Sequence, residues 1–280
     1  MPELPEVETT VRGLASVLDG ARILRVETRR ADLRVPFPPD LVQGLTGARV
    51  TGLGRRAKYG LIHTDRGRTM IFHLGMSGRW RIDPDAIGPH DHLLLETPAH
   101  RLALNDPRRF GFVALADTQA LDAWPAFAAM GPEPLGEPAG AGAGAGALSP
   151  AHLAAAFAAR KTAVKLLLLD QRVVAGLGNI YVCEALHGAR IDPRKPAGRV
   201  GRAALARLVP AIRSVLEAAI AQGGSSLRDY ARPDGQLGYF AHHFAVYGRE
   251  GAACPRADGG TVQRIAQGGR STWYCPKCQR

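Results

Sequence analysis

The first twenty residues have the spacing of an amphipathic helix. In PEVETTVRGLASVLDG, the apolar residues Val7, Val11, Leu14 and Leu18 recur at intervals that place them on one helical face. Gly20 then provides a typical stop signal. The pattern predicts an N-terminal helix with one buried face.

The pattern changes between residues 22 and 117. Short apolar runs are separated there by turn residues, and no helical period lies between them. Regular short strands with tight connections are typical of an antiparallel β-sandwich or barrel. The runs are RILRVET, GLIHTD, TMIFHLG, HLLLET, RLALND and FVALAD.

A stretch rich in glycine, alanine and proline follows at residues 131–150 and reads as a flexible linker, because it cannot bury a core. Helical patterns come next, the first opened by a serine cap and a proline and the last closed by glycines. The helical segments are SPAHLAAAFAAR, KTAVKLLLLDQ, NIYVCEALHG and RAALARLVPAIRSVLEAAIAQGG.

These changes predict an α+β protein of several domains. We expect a β-sandwich domain at 1–133, a linker at 134–150, a helical domain at 151–238 and a cysteine-containing tail at 239–280. The end of the helical domain, 223–238, is a polar loop punctuated by glycines.

The composition allows sizeable cores, since the 280 residues are 46% hydrophobic. The chain has no run of about 18 apolar residues, and its acidic start lacks the pattern of a signal peptide. We therefore expect a soluble, cytoplasmic protein without membrane association.

The charge indicates the kind of partner. Lys and Arg number 36 against 25 Asp and Glu, giving a net charge of +11 and a pI near 10.1. Neutralising phosphates releases counterions, so this excess favours a nucleic acid. Membrane surfaces and acidic proteins also attract basic proteins, and charge alone leaves them open.

Three of the four cysteines lie in the last 27 residues. Cys275 and Cys278 have the spacing of a zinc knuckle, and Cys254 offers a third thiolate. Ala257 stands where a fourth thiol is expected, and Asp258 is the nearest zinc-binding group. We expect one structural Zn²⁺ on these three cysteines and Asp258, with weak or absent zinc as the alternative.

The chain opens MPELPE. Methionine is normally removed before a small residue, which gives Pro2 a free secondary amine with a pKa of roughly 8. Such an amine attacks an aldehyde-like carbon and forms an iminium, and Glu3 and Glu6 are placed to move protons for it. The alternative is that these residues only begin a helix.

Two glycine-bearing segments, HLGMSGRW and NDPRRFGF, each place a large apolar side chain beside a cation. Met76 and Phe110 have the character of wedges that part stacked bases, and Arg108 can fill the vacated space. The alternative is that Met76 and Phe110 are ordinary core residues.

Two further motifs suit phosphate. RRAKYG supplies cations, of which Lys58 can also act as an acid, whereas a solvated charge cluster is the alternative. GLGNIY places Asn179 and backbone amides at a helix start, an arrangement that suits an anion. A plain turn between helices is the alternative.

Together, in this order, the motifs resemble bacterial formamidopyrimidine-DNA glycosylase over essentially the whole chain except the linker. The resemblance implies an N-terminal antiparallel β-sandwich, a helix-two-turn-helix domain and a C-terminal zinc hairpin. It also implies removal of oxidised purines from damaged double-stranded DNA, followed by strand cleavage. The motifs are MPELPEVE, RRAKY, HLGMSG, DPRRFG, GLGNIY, GGSSLRDY, GYFAHHFAVYGREG and the terminal cysteines.

The resemblance assigns catalytic roles by position. Pro2 corresponds to the nucleophile that forms a Schiff base with C1′ of the sugar, and Glu3 to the principal acid/base. Lys58 corresponds to the proton donor for β-elimination and Arg270 to that for δ-elimination.

Roles in DNA binding follow in the same way. Met76, Arg108 and Phe110 match the trio that fills the gap left by an everted nucleotide, and the loop at 223–238 is similar to the flap that closes over the damaged base. Further matching DNA contacts are His90, Arg160 (where lysine is common), Lys165 and Asn179.

At the metal site the family has sixteen residues between the inner cysteines. Here sixteen residues separate Asp258 from Cys275, so Asp258 takes the spacing of the missing cysteine.

Two alternative functions are an endonuclease VIII-like glycosylase for oxidised pyrimidines and a non-catalytic damaged-DNA-binding protein. The leucine of PELPE and the GGSSLRDY segment favour the purine branch, and a mere binder needs none of Pro2, Glu3 and Lys58. We expect a monomer, since it has to wrap duplex DNA, and an association with the bacterial nucleoid.

Overall fold

The computed structural model describes residues 2–136, 147–226 and 231–280. Met1, most of the predicted linker and the middle of the predicted 223–238 loop lie outside the described residues. Contacts divide the chain into a sandwich unit and a helical unit. The sandwich unit holds the described residues of Met1–Ala128 and Ile220–Ala241, and the helical unit those of Ala129–Glu137, Gly144–Ala219 and His242–Arg280.

Helix α1, Leu4–Leu18, forms as predicted. Glu3 and Glu6 make a capping box at its start, in which each side chain accepts a backbone N–H from the other residue. The predicted apolar face is buried and comprises Val7, Val11, Leu14 and Leu18.

Two antiparallel four-stranded sheets follow, which confirms the predicted sandwich. The strand orders are β1-β6-β7-β5 and β2-β3-β4-β8. A short helix α2, Leu41–Leu45, precedes β2. The strands are β1 Arg25–Thr28, β2 Val50–Arg56, β3 Tyr59–Thr64, β4 Arg68–His73, β5 Arg79–Ile82, β6 Asp91–Glu96, β7 Arg101–Asn105 and β8 Phe112–Asp117.

Helix α1 and both sheets share one apolar core. Within it the Phe72 and Trp80 rings meet edge to face, with centroids 5.6 Å apart. A Cβ at Gly60 would overlap the Phe72 ring, so this core position requires glycine. The packing of α1 against β2 and β3 fixes the start of the helix relative to the β2–β3 turn.

The remaining helices begin with α3, Pro125–Ala128, at the end of the sandwich unit. The helical unit contains α4 Pro150–Phe157, α5 Val164–Leu168, α6 Asn179–Ala189 and α7 Arg202–Ala221, whose last two residues group with the sandwich unit. The predicted cap is present, since Ser149 Oγ accepts the His152 N–H at 3.1 Å. Among the described helices, none combines the length and apolar content needed to cross a bilayer.

The tail ends in a two-stranded antiparallel hairpin, β9 Gln263–Gln267 and β10 Arg270–Tyr274. Gly268 and Gly269 join the strands and both have positive φ, 55° and 72°, which the tight turn requires. The predicted terminal hairpin is thus confirmed, and it exposes Arg270 at the start of β10.

Candidate functional site

The start of α1 is buried and carries three of the predicted catalytic residues, Pro2, Glu3 and Glu6. Pro2 is buried, and Glu3 and Glu6 are each 2% exposed. Glu6 Oε2 accepts the Glu3 N–H at 2.8 Å, while its Oε1 accepts the Ser225 N–H at 2.8 Å. Glu6 therefore joins the start of α1 to a segment that is 219 positions away in the sequence.

Lys58 lies in the turn between β2 and β3 and is 8% exposed. Arg55 holds this turn: its Nη1 donates to the Ala57 carbonyl oxygen at 2.9 Å and its Nε to Glu8 Oε2 at 2.9 Å. Burial acts to raise the pKa of Glu8, but Arg55 and Arg12 outweigh it and hold that pKa below its usual value. The Glu8–Arg55 pair thus fixes the Lys58 turn against α1.

Two loops carry the predicted wedge residues, the Met76 loop (residues 74–78) and the Phe110 loop (residues 106–111). Buried Asp106 joins them: its Oδ1 accepts the Ser77 hydroxyl at 2.6 Å and its Oδ2 the Gly111 N–H at 2.8 Å. Ser77 Oγ also accepts the Arg108 N–H at 3.1 Å. Met76, Arg108 and Phe110 are therefore carried on one rigid support.

The wedge residues are partly accessible, unlike core residues. Phe110 is 45% exposed, and the Arg108 guanidinium carbon lies 4.9 Å from its ring centroid, while Met76 is half-buried. A Cβ at Gly75 would overlap the Phe110 backbone, so the two loops approach each other as closely as glycine permits. A cation and two apolar side chains are thus presented together.

His73 is the last residue of β4, directly before the Met76 loop. Burial, followed by the charges of Lys58 and Arg34, lowers the pKa of His73 to about 4, so the ring is neutral at physiological pH. Its Nδ1 accepts the Gly75 N–H at 3.0 Å. His90, another predicted DNA contact, is exposed, and its carbonyl accepts the Asp106 N–H at 2.9 Å.

In the helical unit, Asn179 and Lys165 converge on one carbonyl. Asn179 begins α6, and its Nδ2 donates to the Ser271 carbonyl at 2.9 Å. The Lys165 Nζ reaches the same oxygen at 3.5 Å from a fully buried side chain. Because Ser271 follows Arg270, both residues support the strand that carries Arg270. Arg160 is exposed just beyond α4.

The four predicted zinc ligands come together, with ligand atoms all within 4.8 Å of one another. Cys254 Sγ lies 3.9 Å from Cys278 Sγ, and Cys275 Sγ lies 3.7 Å from Asp258 Oδ2. A tetrahedral zinc with bonds of about 2.0 to 2.3 Å separates its ligand atoms by roughly 3.5 to 3.8 Å. The donor set fits Zn²⁺, with Asp258 in place of the missing thiolate.

The surroundings of Asp258 suit this role. The Gly260 N–H donates to Asp258 Oδ1 at 2.7 Å and holds the pKa of this carboxyl below its usual value. Ligating carboxylates are normally oriented by such outer contacts. Burial raises the pKa of the Cys278 thiol, and metal binding to a thiol releases its proton.

Several structural residues of these sites were not predicted. Asp106 lies within the glycine-bearing segment NDPRRFGF, but its bonds to Ser77 and Gly111 depend on the fold and gave no signal in the sequence. Ser225 gave no signal, because its contact with Glu6 is long-range. His187, whose Nε2 lies 3.5 Å from Cys254 Sγ, is a single histidine in an apolar helix, a pattern typical of core positions.

Comparisons with known proteins cover nearly the whole chain. Residues 1–113 match the model of the formamidopyrimidine-DNA glycosylase N-terminal domain, and residues 130–231 match that of its H2TH domain. Residues 259–280 match the zinc finger found in FPG and IleRS. That match includes Cys275 and Cys278 and begins just after Asp258.

Full-length relatives are similar throughout. Formamidopyrimidine-DNA glycosylases of Erythrobacter litoralis and Novosphingobium aromaticivorans are 69% and 68% identical, with 100% of each chain covered. A Lactococcus lactis Fpg variant in complex with Fapy-dG containing DNA is 33% identical, has a TM-score of 0.89 and covers 100% of both chains.

The MutM (Fpg) protein of Thermus thermophilus is 37% identical, with a TM-score of 0.86 over 99% of this chain and 98% of that one. These similarities, together with the fold and the donor set for zinc, confirm the resemblance seen in the motifs. The chain belongs to the formamidopyrimidine-DNA glycosylase family and is a DNA glycosylase of base-excision repair.

Proposed function

We propose that this chain removes 8-oxoguanine and formamidopyrimidines from duplex DNA and cleaves the strand at the abasic site, with Pro2 as nucleophile. The buried cluster of Pro2, Glu3 and Glu6 at the start of α1 carries the proposal. Similar Lactococcus lactis structures hold Fapy-dG containing DNA and abasic-site containing DNA, which supports both substrates.

The reaction begins outside the base stack. C1′ is unreachable inside a duplex, so the nucleotide has to be everted at a cost of a few kcal/mol. Insertion of Met76, Arg108 and Phe110 offsets part of this cost. The Asp106 bridge between their loops supports this role, because inserted side chains have to stay in position although the flanking bases tend to restack.

Pro2 then attacks C1′ with its nitrogen lone pair as the bond from C1′ to the base breaks, and the nitrogen loses its proton, which leaves with the base. The lone pair that this proton loss restores next expels O4′, which takes a proton from Glu3, and an iminium remains. Glu6 holds Glu3 in place through the Glu3 N–H and assists proton movement.

The iminium is the electron sink for strand cleavage. Loss of a proton from C2′ expels the 3′ phosphate, and a second elimination expels the 5′ phosphate. By their positions in the family, Lys58 is assigned to the first step and Arg270 to the second. Water then hydrolyses the iminium and releases Pro2.

The remaining assigned contacts hold the phosphate backbone. Asn179 offers backbone amides at the start of α6, where an anion is favoured, and His90 and Arg160 are exposed. Lys165 supports the Arg270 strand through the Ser271 carbonyl. Cys254, Asp258, Cys275 and Cys278 would hold the Zn²⁺, which would neutralise the thiolates and have a structural role in the tail.

We further propose a monomer that works at the bacterial nucleoid, with the domains predicted at 1–133, 151–238 and 239–280, except that the described parts of the 223–238 loop join the sandwich unit. The 223–238 loop is assigned to the damaged base. Its described parts group with the sandwich unit rather than with the helices, because Ser225 and Pro233 bond to α1 and β5.

Borohydride trapping tests the proposal. The protein is incubated with an 8-oxoguanine duplex and reduced, beside a Pro2→Gly variant and a thymine-glycol duplex. We expect a covalent adduct on Pro2 of the processed chain, formed faster with 8-oxoguanine. An adduct on an internal lysine, or full activity with Met1 retained, contradicts the Pro2 mechanism, and preference for thymine glycol favours the pyrimidine alternative.

A further inference from the structure

A compact turn, Arg232–Gln236, lies in the sandwich unit at the end of the 223–238 loop. The Gly235 N–H donates to the Arg232 carbonyl at 2.9 Å, and the Arg232 N–H to the Gln236 carbonyl at 2.8 Å. Asp234 Oδ1 accepts the Gln236 N–H at 3.0 Å, and Gly235 has a φ of 84°. Pro233 occupies the second turn position, which its ring favours. The turn therefore holds its own shape.

Pro233 attaches this turn to the sandwich. The Ile82 N–H, at the end of β5, donates to the Pro233 carbonyl at 3.0 Å. The proline ring rests on Gly13 of α1, where an added Cβ would lie 3.1 Å from Pro233 Cγ. Glycine weakens a helix interior relative to alanine, so the close approach of Pro233 gives a reason for glycine at this position.

The attachment is narrow. A cavity of about 380 Å³ lies beside it, between the turn, α1 and β5. The Pro233 contacts therefore border this cavity and join the turn to α1 and β5. The cavity lining includes Thr9, Arg12, Ser16, Ile82, Ile220 and Arg232.

The loop has a second attachment at the catalytic end of the same helix. The Ser225 N–H donates to Glu6 Oε1 at 2.8 Å, and Gly238 bonds back to Ser226 Oγ at 2.8 Å. Glu6 and Gly13 are seven residues apart, about two turns, and so lie on the same side of α1. Helix α1 thus contacts the described parts of the loop at two positions, at Glu6 through Ser225 and at Gly13 through Pro233.

We propose that Gly13 and Pro233 are positioning residues for base excision: their contact fixes the Arg232–Gln236 turn on α1 and, through the bonds between Gly238 and Ser226, holds Ser225 on the Glu6 carboxylate, at the end of α1 to which the proposed function assigns the damaged base. The inference rests on the proposed function. A preformed abasic site has no base to place, so the contact should matter for 8-oxoguanine excision and not for cleavage of an abasic duplex.

The test is Gly13→Val, with Ala15→Val as the control for a β-branched residue in the same helix. Single-turnover excision of 8-oxoguanine should fall about 10- to 100-fold, because displacements near 1 Å have effects of that size. Cleavage of a preformed abasic duplex should match that of Ala15→Val. Should Gly13→Val fail to fold, Gly13→Ala provides the same comparison, with an expected loss of about threefold.

A double-mutant cycle separates positioning from general damage. In a Pro233→Gly background, Gly13→Val should cost less than about threefold, because the ring that it displaces is gone. Equal costs in both backgrounds, or equal losses of excision and abasic cleavage, would overturn the inference. If the proposed function itself were wrong, the result would be distinguishable, because the unaltered protein would then neither excise 8-oxoguanine nor be trapped through Pro2.

Discussion

The two units support their exposed side chains in different ways. In the sandwich unit, one buried carboxylate, Asp106, joins the Met76 loop to the Phe110 loop through a hydroxyl and an amide. In the tail, three cysteines and Asp258 converge on a zinc site, and the Arg270 strand leads directly to Cys275.

The cores explain the difference. Twenty described residues form the buried cluster beneath the sandwich loops, whereas the cluster beside the hairpin is smaller: Cys183, Val246 and Val262 are buried in it, and Tyr247 and Trp273 pack against them. A small cluster offsets less of the conformational entropy of the tail, and a bound metal ion supplies the remaining stabilisation. A carboxylate bridge is sufficient over a large core, and a small module needs the ion.

Removing a zinc ligand should have the largest effect and should destabilise the tail without destabilising the sandwich unit. Cys275→Ala takes away a fully buried thiolate. Structural zinc contributes about 10 to 16 kcal/mol of binding energy to a small module, so we expect loss of zinc and of amide protection in β9 and β10. The sandwich strands should keep their protection.

Metal analysis and hydrogen exchange measure these effects. Cys183→Ala is the matched control, because this buried thiol lies outside the zinc site, and it should retain one zinc per chain. A Cys275→Ala protein with normal zinc and a protected hairpin would show that the tail has another source of stability.

Breaking the carboxylate bridge should have a smaller effect. Asp106→Asn places an amide where the Ser77 hydroxyl or the Gly111 N–H needs an acceptor. Leaving such a buried donor unsatisfied lowers the free energy of unfolding by about 1 to 3 kcal/mol. We expect slower excision of 8-oxoguanine and unchanged zinc content.

Urea unfolding beside Asp85→Asn, at an exposed carboxylate, provides the control, which should stay within about 0.5 kcal/mol of the unaltered protein. If both variants unfolded at the same urea concentration, Asp106 would not be the support of these loops.

The contact between His187 and the zinc ligand Cys254 should have a smaller effect than the Asp106 bridge. His187 Nε2 lies 3.5 Å from Cys254 Sγ, and Arg256 donates to the carbonyls of His187 and Gly188 at the end of α6. Second-shell changes typically cost about 10- to 100-fold in metal affinity, so His187→Phe should weaken zinc by about tenfold. Competition with a chromophoric chelator measures it.

His243→Phe is the control, since this histidine is exposed in the same unit. If His187→Phe left the zinc affinity unchanged, the hydrogen bond between His187 and Cys254 would not contribute to zinc binding. The zinc affinity would then depend on the four ligands and not on α6.

Elements with a periodic hydrophobic pattern could be predicted from the sequence. The apolar stripe of α1 and most strands were visible, but β5 was missed, because its four residues bury only Trp80. The second missed strand, β2, contains two glycines and two arginines that hide its alternation. The helix expected in KTAVKLLLLDQ shrinks to α5, since Asp170 accepts the Arg172 N–H and begins a turn.

The residues of the candidate sites likewise fall into those that the sequence predicted and those that it did not. The zinc ligands could be predicted because their spacing is local, apart from one shift to Asp258. Supports such as Ser225, Asp106 and His187 could not, because each is a single polar residue whose partner is fixed only by the fold. Ligands that share a local spacing are thus easier to predict than the residues that hold a site in place through contacts distant in sequence.

Glu8→Gln should have the smallest effect on stability, because Glu8 is less buried than Asp106. Asp106 is 1% exposed, whereas the Glu8 side chain is 18% exposed and pairs with Arg55 and Arg12. Because the folded-state pKa of Glu8 is lowered, its ionised form stabilises the fold above the unfolded value near 4.5, and this is lost as pH falls through the folded value. Glu8→Gln should therefore cost about 1 kcal/mol at pH 7 and progressively less below pH 4.5. Urea unfolding at pH 7 and pH 3.5 measures both. A cost that stayed constant with pH would mean that Glu8 supports the Lys58 turn by packing rather than by charge.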